Sequence, residues 1–304
     1  MSSNTAQVSA SAPALVIDED VFGAHFDRYP FKLRHSLCNH PLLQLPRLVQ
    51  LAESRGGDAL YFRGDHQINQ VDAAAEDGRT RTFIDRKLAR PKLSAAETVA
   101  QIESCNAWLQ LRDVAANPEY AALLAQIIEE FRPFAERVAP GLSVPRADIF
   151  VSSPGATTPF HLDEEHNFLL QIRGSKRLSI ANGFDPEAVV PGTLRDFFHG
   201  NGELARYSEH LESHSVHVEL APGEGVHIPP CHPHWVQNGP AVSISFGILW
   251  FSDVTARRRH LYRVNGWLKR AGLHPPEPGE QRRLDAIKAF PVTLKRRLKR
   301  VFGG

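Results

Sequence analysis

The segment Thr158-Pro-Phe-His161-Leu-Asp163-Glu-Glu-His-Asn167 places an imidazole and a carboxylate two residues apart. On an extended strand, residues i and i+2 leave the same face. His161 and Asp163 would therefore present one neutral nitrogen and one anionic oxygen to whatever that face encloses, while His166 would point the other way. A third donor has to come from elsewhere in the fold. The segment Gly223-Glu-Gly-Val-His227-Ile-Pro-Pro-Cys-His232-Pro-His234-Trp-Val-Gln-Asn238 offers three histidines for it. Two histidines and one carboxylate on one side of a metal leave its other positions open, as in non-haem Fe(II) sites, whereas structural zinc prefers four closed ligands, often cysteines. A His-x-Asp pair alone is more often a surface hydrogen bond than a metal site, so the flanking residues must decide.

Those flanks carry a pattern. Thr158-Pro159-Phe160-His161-Leu162-Asp163 runs on through Asn167-Phe168 to Gln171-Ile172-Arg173-Gly174-Ser175-Lys176, and Ile228-Pro229-Pro230-Cys231-His232-Pro233-His234-Trp235-Val236 follows. This resembles the JmjC family of cupin-like oxygenases, which reads T-P-x-H-x-D-x-x-x-N-F, then Q-[IV]-x-G-x-K, then I-P-x-x-W-W-H-x-[VI]. Within that family the resemblance is closest to the asparaginyl hydroxylase that acts on hypoxia-inducible factor. The motifs cover residues 147–251, and His232-Pro233 stands where the family has a tryptophan pair.

The resemblance implies a mainly β fold, a double-stranded β-helix (jelly-roll, cupin-like) core with helical N- and C-terminal regions. It implies Fe(II) held by His161, Asp163 and His234. His234 is preferred to His232 because only His234 has the Val236 and Asn238 continuation. Lys176 would pair with the distal carboxylate of the cosubstrate 2-oxoglutarate, helped by the Thr158 hydroxyl, and Asn167 would bond near its iron-chelating end. The implied activity is that of a dioxygenase using O2 to hydroxylate a C–H of a protein, peptide or small-molecule substrate, or to demethylate it where the carbon sits on an N-methyl group. Two other readings stay open, a metal-binding cupin with a different reaction and a catalytically inactive binding protein. Lys176 separates the first of these, since without a cosubstrate carboxylate it has no reason to face inward.

The surrounding elements must bring these residues together. From about residue 147, short runs rich in β-branched and aromatic residues (148–152, 167–172, 176–181, 216–220, 225–228, 241–251) are punctuated by Gly, Pro and Asn, as in a β sandwich or barrel. The first half mixes helices with short strands. Residues 41–55 carry helix start and stop signals, Ser94-Ala-Ala-Glu97 is a capping box opening a helix to about Asn106, and Asn117-Pro118 starts another with an apolar stripe. Leu60-Tyr61-Phe62 reads as an early strand, and 194–198 as a short helix inserted between strands. Helices are expected again at 255–271, 281–290 and 292–301. The division that results is a disordered lead-in (1–14), a mixed part packing on the barrel (15–146), the β-helix core (147–253) and a basic helical region (254–304).

The chain has 304 residues, 42% of them apolar, enough to bury a large core, and no run approaches the 18 apolar residues of a membrane span. Three scattered cysteines, Cys38, Cys105 and Cys231, argue against a disulfide framework and suit a reducing cytosol. Cys231 reads as a small buried residue. The net charge of +1 hides an asymmetry: residues 254–304 hold 14 Lys+Arg against 3 Asp+Glu, a net of +11, which leaves the rest at −10. The plainer reading is a tail packed against the acidic body. The alternatives are nucleic acid or acidic lipid at Lys295-Arg-Arg-Leu-Lys-Arg300, and, by the resemblance, homodimer contacts through the C-terminal helices.

Overall fold

The computed structural model describes residues 13–55, 59–63, 93–189, 192–198 and 209–302. Most of the expected lead-in, residues 1–12, lies outside them. Twelve strands form two antiparallel sheets among the described residues. The larger sheet runs in the order β1 (Leu15–Val16), β2 (Phe31–His35), β10 (Glu224–Ile228), β7 (His166–Arg173), β12 (Ser243–Phe251), β5 (Ser143–Ser152), β4 (Ala107–Leu111) and β3 (Ala59–Arg63). The smaller runs β6 (Thr157–His161), β11 (His234–Asn238), β8 (Lys176–Ile180) and β9 (Val216–Leu220). This is the expected double-stranded β-helix with flanking helices.

Period-2 alternation assigns the faces. Leu169, Val226 and Ile228 of the larger sheet meet Leu178, Ile180, Val218, Leu220 and Val236 of the smaller in the barrel interior. The alternate residues Phe168, Leu170, Ile244, Phe246 and Trp250 turn to the other face. They join a core with α1 (Glu19–His25), α2 (Leu45–Arg55), α3 (Ala95–Ala100) and α4 (Pro118–Val138). The third layer of apolar contacts, Phe160, Leu162, Ala181, Leu211 and Trp235, joins the outer face of the smaller sheet to α6 (Glu209–His214), with Leu194 and Phe197 of α5 (Thr193–Phe198) against it. Each such side chain taken fully out of water contributes about 1.5–3 kcal/mol. Two long helices close the chain, α7 (Asp253–Arg270) and α8 (Arg282–Phe302).

Local signals account for the boundaries. Ser94 Oγ accepts from the Glu97 N–H at 3.2 Å while Glu97 Oε2 accepts from the Ser94 N–H at 2.8 Å, the reciprocal capping box. Asn117 caps α4, with Pro118 at its first position. Some expectations need correction. The helix expected from 94 to 106 ends at Ala100, and Ala107–Leu111 is a strand buried at almost every position, a pattern without the alternation that marks a half-exposed strand. The start of the 41–55 helix is a 3-10 turn, Pro41–Leu43. The two helices expected at the C-terminus are one, because α8 continues through Pro291. The carbonyl that this proline leaves unbonded, four residues earlier at Ile287, lies on an exposed side, where the loss is smallest.

Candidate metal centre and its pocket

Strands β6 and β11 pair antiparallel with His161 directly opposite His234. Their rings lie 4.2 Å apart between centroids. Past this pair the register slips: Val236 opposes Thr158, so two steps along β11 match three along β6. The extra residue is a β-bulge, and it lets Thr158 and His161, at an odd spacing, line the same pocket. Asp163 arrives differently from expectation. It lies beyond the end of β6, in the turn before β7, and is carried there by loop geometry rather than by strand alternation. The Cys231 N–H donates to the Asp163 carbonyl at 2.7 Å, which ties this turn to the one that leads into His234. Gly183 makes room for that second turn, since a Cβ there would collide with the Cys231 carbonyl.

His161, Asp163 and His234 form a group whose possible ligand atoms all lie within 4.8 Å of one another. His161 Nδ1 is 2.8 Å from the Pro159 carbonyl, and His234 Nδ1 is 2.9 Å from the His232 carbonyl. A carbonyl can only accept, so in each ring Nδ1 carries the hydrogen and Nε2 keeps its lone pair for a metal. Burial, reinforced by the neighbouring His161, lowers the His234 pKa to about 4, so the ring is neutral at pH 7, the form that ligates. Burial works against ionisation of Asp163, but His161, His234, Arg146 and a hydrogen bond from Asn167 outweigh it and hold its pKa below the ordinary carboxylate value. The donor set thus fits a divalent metal with open positions.

At the other end of the same pocket stands Lys176. The turn before it depends on Gly174, which sits at φ +69 where a Cβ would strike the Val242 carbonyl. Lys176 shares the inward face of β8 with Leu178 and Ile180, is 5% exposed, and has no ion-pair or hydrogen-bond partner among the described residues. Burial drives its pKa from 10.5 down to about 7. Thr158 and Asn167 line the same pocket, and Asn167 Oδ1 is buried without a hydrogen-bond partner among the described residues. Apolar walls come from Phe150, Leu169, Ile228 and Val236 around a cavity of about 50 Å³ that opens to solvent.

The structure thus brings all six candidate residues, Thr158, His161, Asp163, Asn167, Lys176 and His234, to one pocket. It keeps the other histidines out of it. His166 and His227 turn to the opposite side of the larger sheet and stack on Phe26 at 4.7 and 4.8 Å between centroids. His232 bonds the Pro230 carbonyl at 3.3 Å and packs on Phe184. Cys231 is buried outside the group of convergent donors, and burial pushes its thiol up to about 11. Sequence reasoning missed the supporting shell. Arg146 pairs with Glu165 and, at 3.4 Å, with the fully buried Asp148, and Arg259 pairs with Glu164 at 3.2 Å. The acidic run Asp163-Glu164-Glu165 was the one available signal. Trp108, Phe150 and Ser152, which also line the pocket, gave none.

A family model described as a cupin-like domain matches residues 46–256. The chain is 22% identical over 231 residues to Jumonji C domain-containing protein 5 of Drosophila melanogaster, covering 70% of this chain and 52% of that protein. It therefore spans about half the length of this curated relative. A crystal structure of E. coli YcfD matches with a TM-score of 0.50 and 16% identity over 92% of this chain and 68% of that one. A structure of YcfD described as a ribosomal oxygenase in complex with cobalt and 2-oxoglutarate matches with a TM-score of 0.46 and 17% identity, over 92% of this chain and 67% of that one. At such identities the likeness is one of fold. These likenesses support the wider resemblance to cupin-like JmjC oxygenases and do not single out the asparaginyl hydroxylase.

Proposed function

The chain belongs to the cupin-like domain family, and from that premise we propose that it is an Fe(II)- and 2-oxoglutarate-dependent oxygenase that hydroxylates a C–H of a protein, peptide or small molecule. One observation carries the reading: a buried lysine without a counter-charge among the described residues faces the same pocket as three convergent metal donors. An ammonium out of water is strongly disfavoured unless an anion joins it. A metal-only cupin gives Lys176 no such anion, whereas a dicarboxylate that chelates the metal with one end supplies one at the other. Lys176 pairs with Asn238 and His234 with Ile180 along the same two strands, so the cation and the metal donors leave the backbone four residues, roughly 13 Å, apart.

The division of labour follows. Bound Fe(II) would couple oxidative decarboxylation of 2-oxoglutarate by O2, giving succinate and CO2, to insertion of the second oxygen atom into the substrate C–H. His161 and His234 offer neutral Nε2 atoms in fixed tautomers, and Asp163 offers the anionic oxygen that Arg146 helps keep ionised. Lys176 receives the distal carboxylate, with the Thr158 hydroxyl as a second donor. The buried Asn167 amide bonds the Asp163 carboxylate and fixes its position. Phe150, Leu169, Ile228 and Val236 keep water from the reacting groups. The test is succinate formation from 2-oxoglutarate by protein loaded anaerobically with Fe(II) and then exposed to air. Turnover that both His161→Ala and Lys176→Met abolish is expected. Turnover unchanged in Lys176→Met, or iron-loaded protein that forms no succinate at all, would overturn the proposal.

A further inference from the structure

The last helix lies the wrong way round for a helix that stays in water. A surface helix normally turns its apolar stripe to the core. Helix α8 instead buries Asp285 and Ala289. Asp285 accepts the Gly279 N–H at 2.7 Å, and Lys288 reaches Asn265 of α7 at 2.7 Å while its carbonyl meets His260 at 3.0 Å. The apolar residues Leu284, Ile287, Phe290 and Leu294 recur at three- and four-residue spacing on the exposed side, with Ile287 70% and Phe290 61% exposed. The sequence repeats that spacing at Leu298 and Val301. In sequence the helix carries eight Lys+Arg against one acid, Asp285, whose side chain is buried, and of these Arg283 and Lys295 are exposed.

We propose that this face of α8 docks the protein on an anionic phospholipid surface. The occupant has to be apolar and negative at once, and it has to be broad. Around Lys288 the inner side of α8 is already taken by α7, so a groove cannot enclose the whole helix, whereas a flat surface meets the exposed side alone. A bilayer with acidic headgroups provides an apolar layer for Ile287 and Phe290 beneath phosphates for exposed basic residues such as Arg283 and Lys295. Nucleic acid answers the charge but leaves the apolar stripe in water. A second copy of the chain would bring one basic helix against another.

The probe is the full chain mixed with vesicles of phosphatidylcholine alone, or with about 30% phosphatidylserine, followed by flotation. Binding to the anionic vesicles only, weakening as salt rises, is expected. The double substitution Ile287→Asp/Phe290→Asp should weaken it at least about tenfold, with melting temperature and metal uptake unchanged because both side chains are exposed. In a separate variant, Phe290→Trp, the indole emission should shift to the blue on anionic vesicles. The proposal is overturned if the anionic vesicles are not bound, or if the double variant binds them equally well. It is also overturned by binding to duplex RNA that exceeds vesicle binding and survives the double substitution, or by a dimer in solution that the same substitution dissociates.

Discussion

Lys176→Met should make the protein more stable and abolish its binding of 2-oxoglutarate. In the ligand-free pocket the ammonium is buried and unpaired, and burial lowers its pKa from 10.5 to about 7. At 1.36 kcal/mol per pH unit, that displacement corresponds to on the order of 5 kcal/mol of destabilisation when the lysine is charged. The direction with pH follows from proton binding. Between pH 7 and 10.5 the unfolded chain holds a proton on this lysine that the folded chain has released, so the contribution of Lys176 to stability rises with pH across that window. Below pH 7 both states are protonated and the full penalty applies. Methionine has a similar length and no charge, and should remove the penalty. Urea unfolding of metal-free protein at pH 6 should therefore show the variant several kcal/mol more stable than the parent, with the gap closing towards pH 10. Adding 2-oxoglutarate with Mn(II) should raise the melting temperature of the parent and leave the variant unmoved. A variant less stable at pH 6, or a gap that does not narrow on raising the pH, would refute the reasoning that the lysine is held against its own preference for a ligand.

Three further outcomes follow from the same geometry. Gly183→Ala places a Cβ against the Cys231 carbonyl and so pushes on the turn that delivers His234; calorimetry should show metal affinity reduced by about tenfold or more in a protein that remains folded. Burial, with the charges of Asp163 and Glu164, raises the Glu165 pKa to about 7 despite Arg146. Its stabilising contribution is therefore present below the ordinary carboxylate range and lost as pH rises through about 7, and Glu165→Gln should flatten the stability profile of the metal-free protein between pH 5 and 8. Phe131 is fully buried, with its ring 5.0 Å from that of Phe168 and 4.7 Å from that of Trp250. Phe131→Ala should cost about 3–5 kcal/mol in chemical denaturation.

Much of the core was legible because strand alternation and turn residues are local signals. The strands at 148–152, 167–172, 176–181 and 216–220 come within a few residues of β5, β7, β8 and β9, and parity alone separated His166 from Asn167. What escaped has non-local causes. The bulge in β6 is visible only when β11 is laid beside it, so the shared orientation of Thr158 and His161 could not be derived from spacing. Asp163 follows the strand rule in sequence, yet a turn held by the Cys231 amide puts it in place. Strand β4 hides in an apolar run that fits a buried helix as well as a buried strand. The inward placement of Lys176 was expected from the resemblance alone, since Gly174-Ser175-Lys176 taken by itself fits a turn with a solvated lysine equally well. The outward face of α8 was equally unreadable, because a helical wheel shows where the stripe lies on a helix and not which way it is turned.

The most direct test is a crystal structure of protein loaded anaerobically with Fe(II) and 2-oxoglutarate. It should show the metal bonded to Nε2 of His161, Nε2 of His234 and the Asp163 carboxylate, with the keto acid reaching from it to the Lys176 ammonium. Metal bound instead at His232, or a keto acid that leaves Lys176 alone in its pocket, would contradict the account.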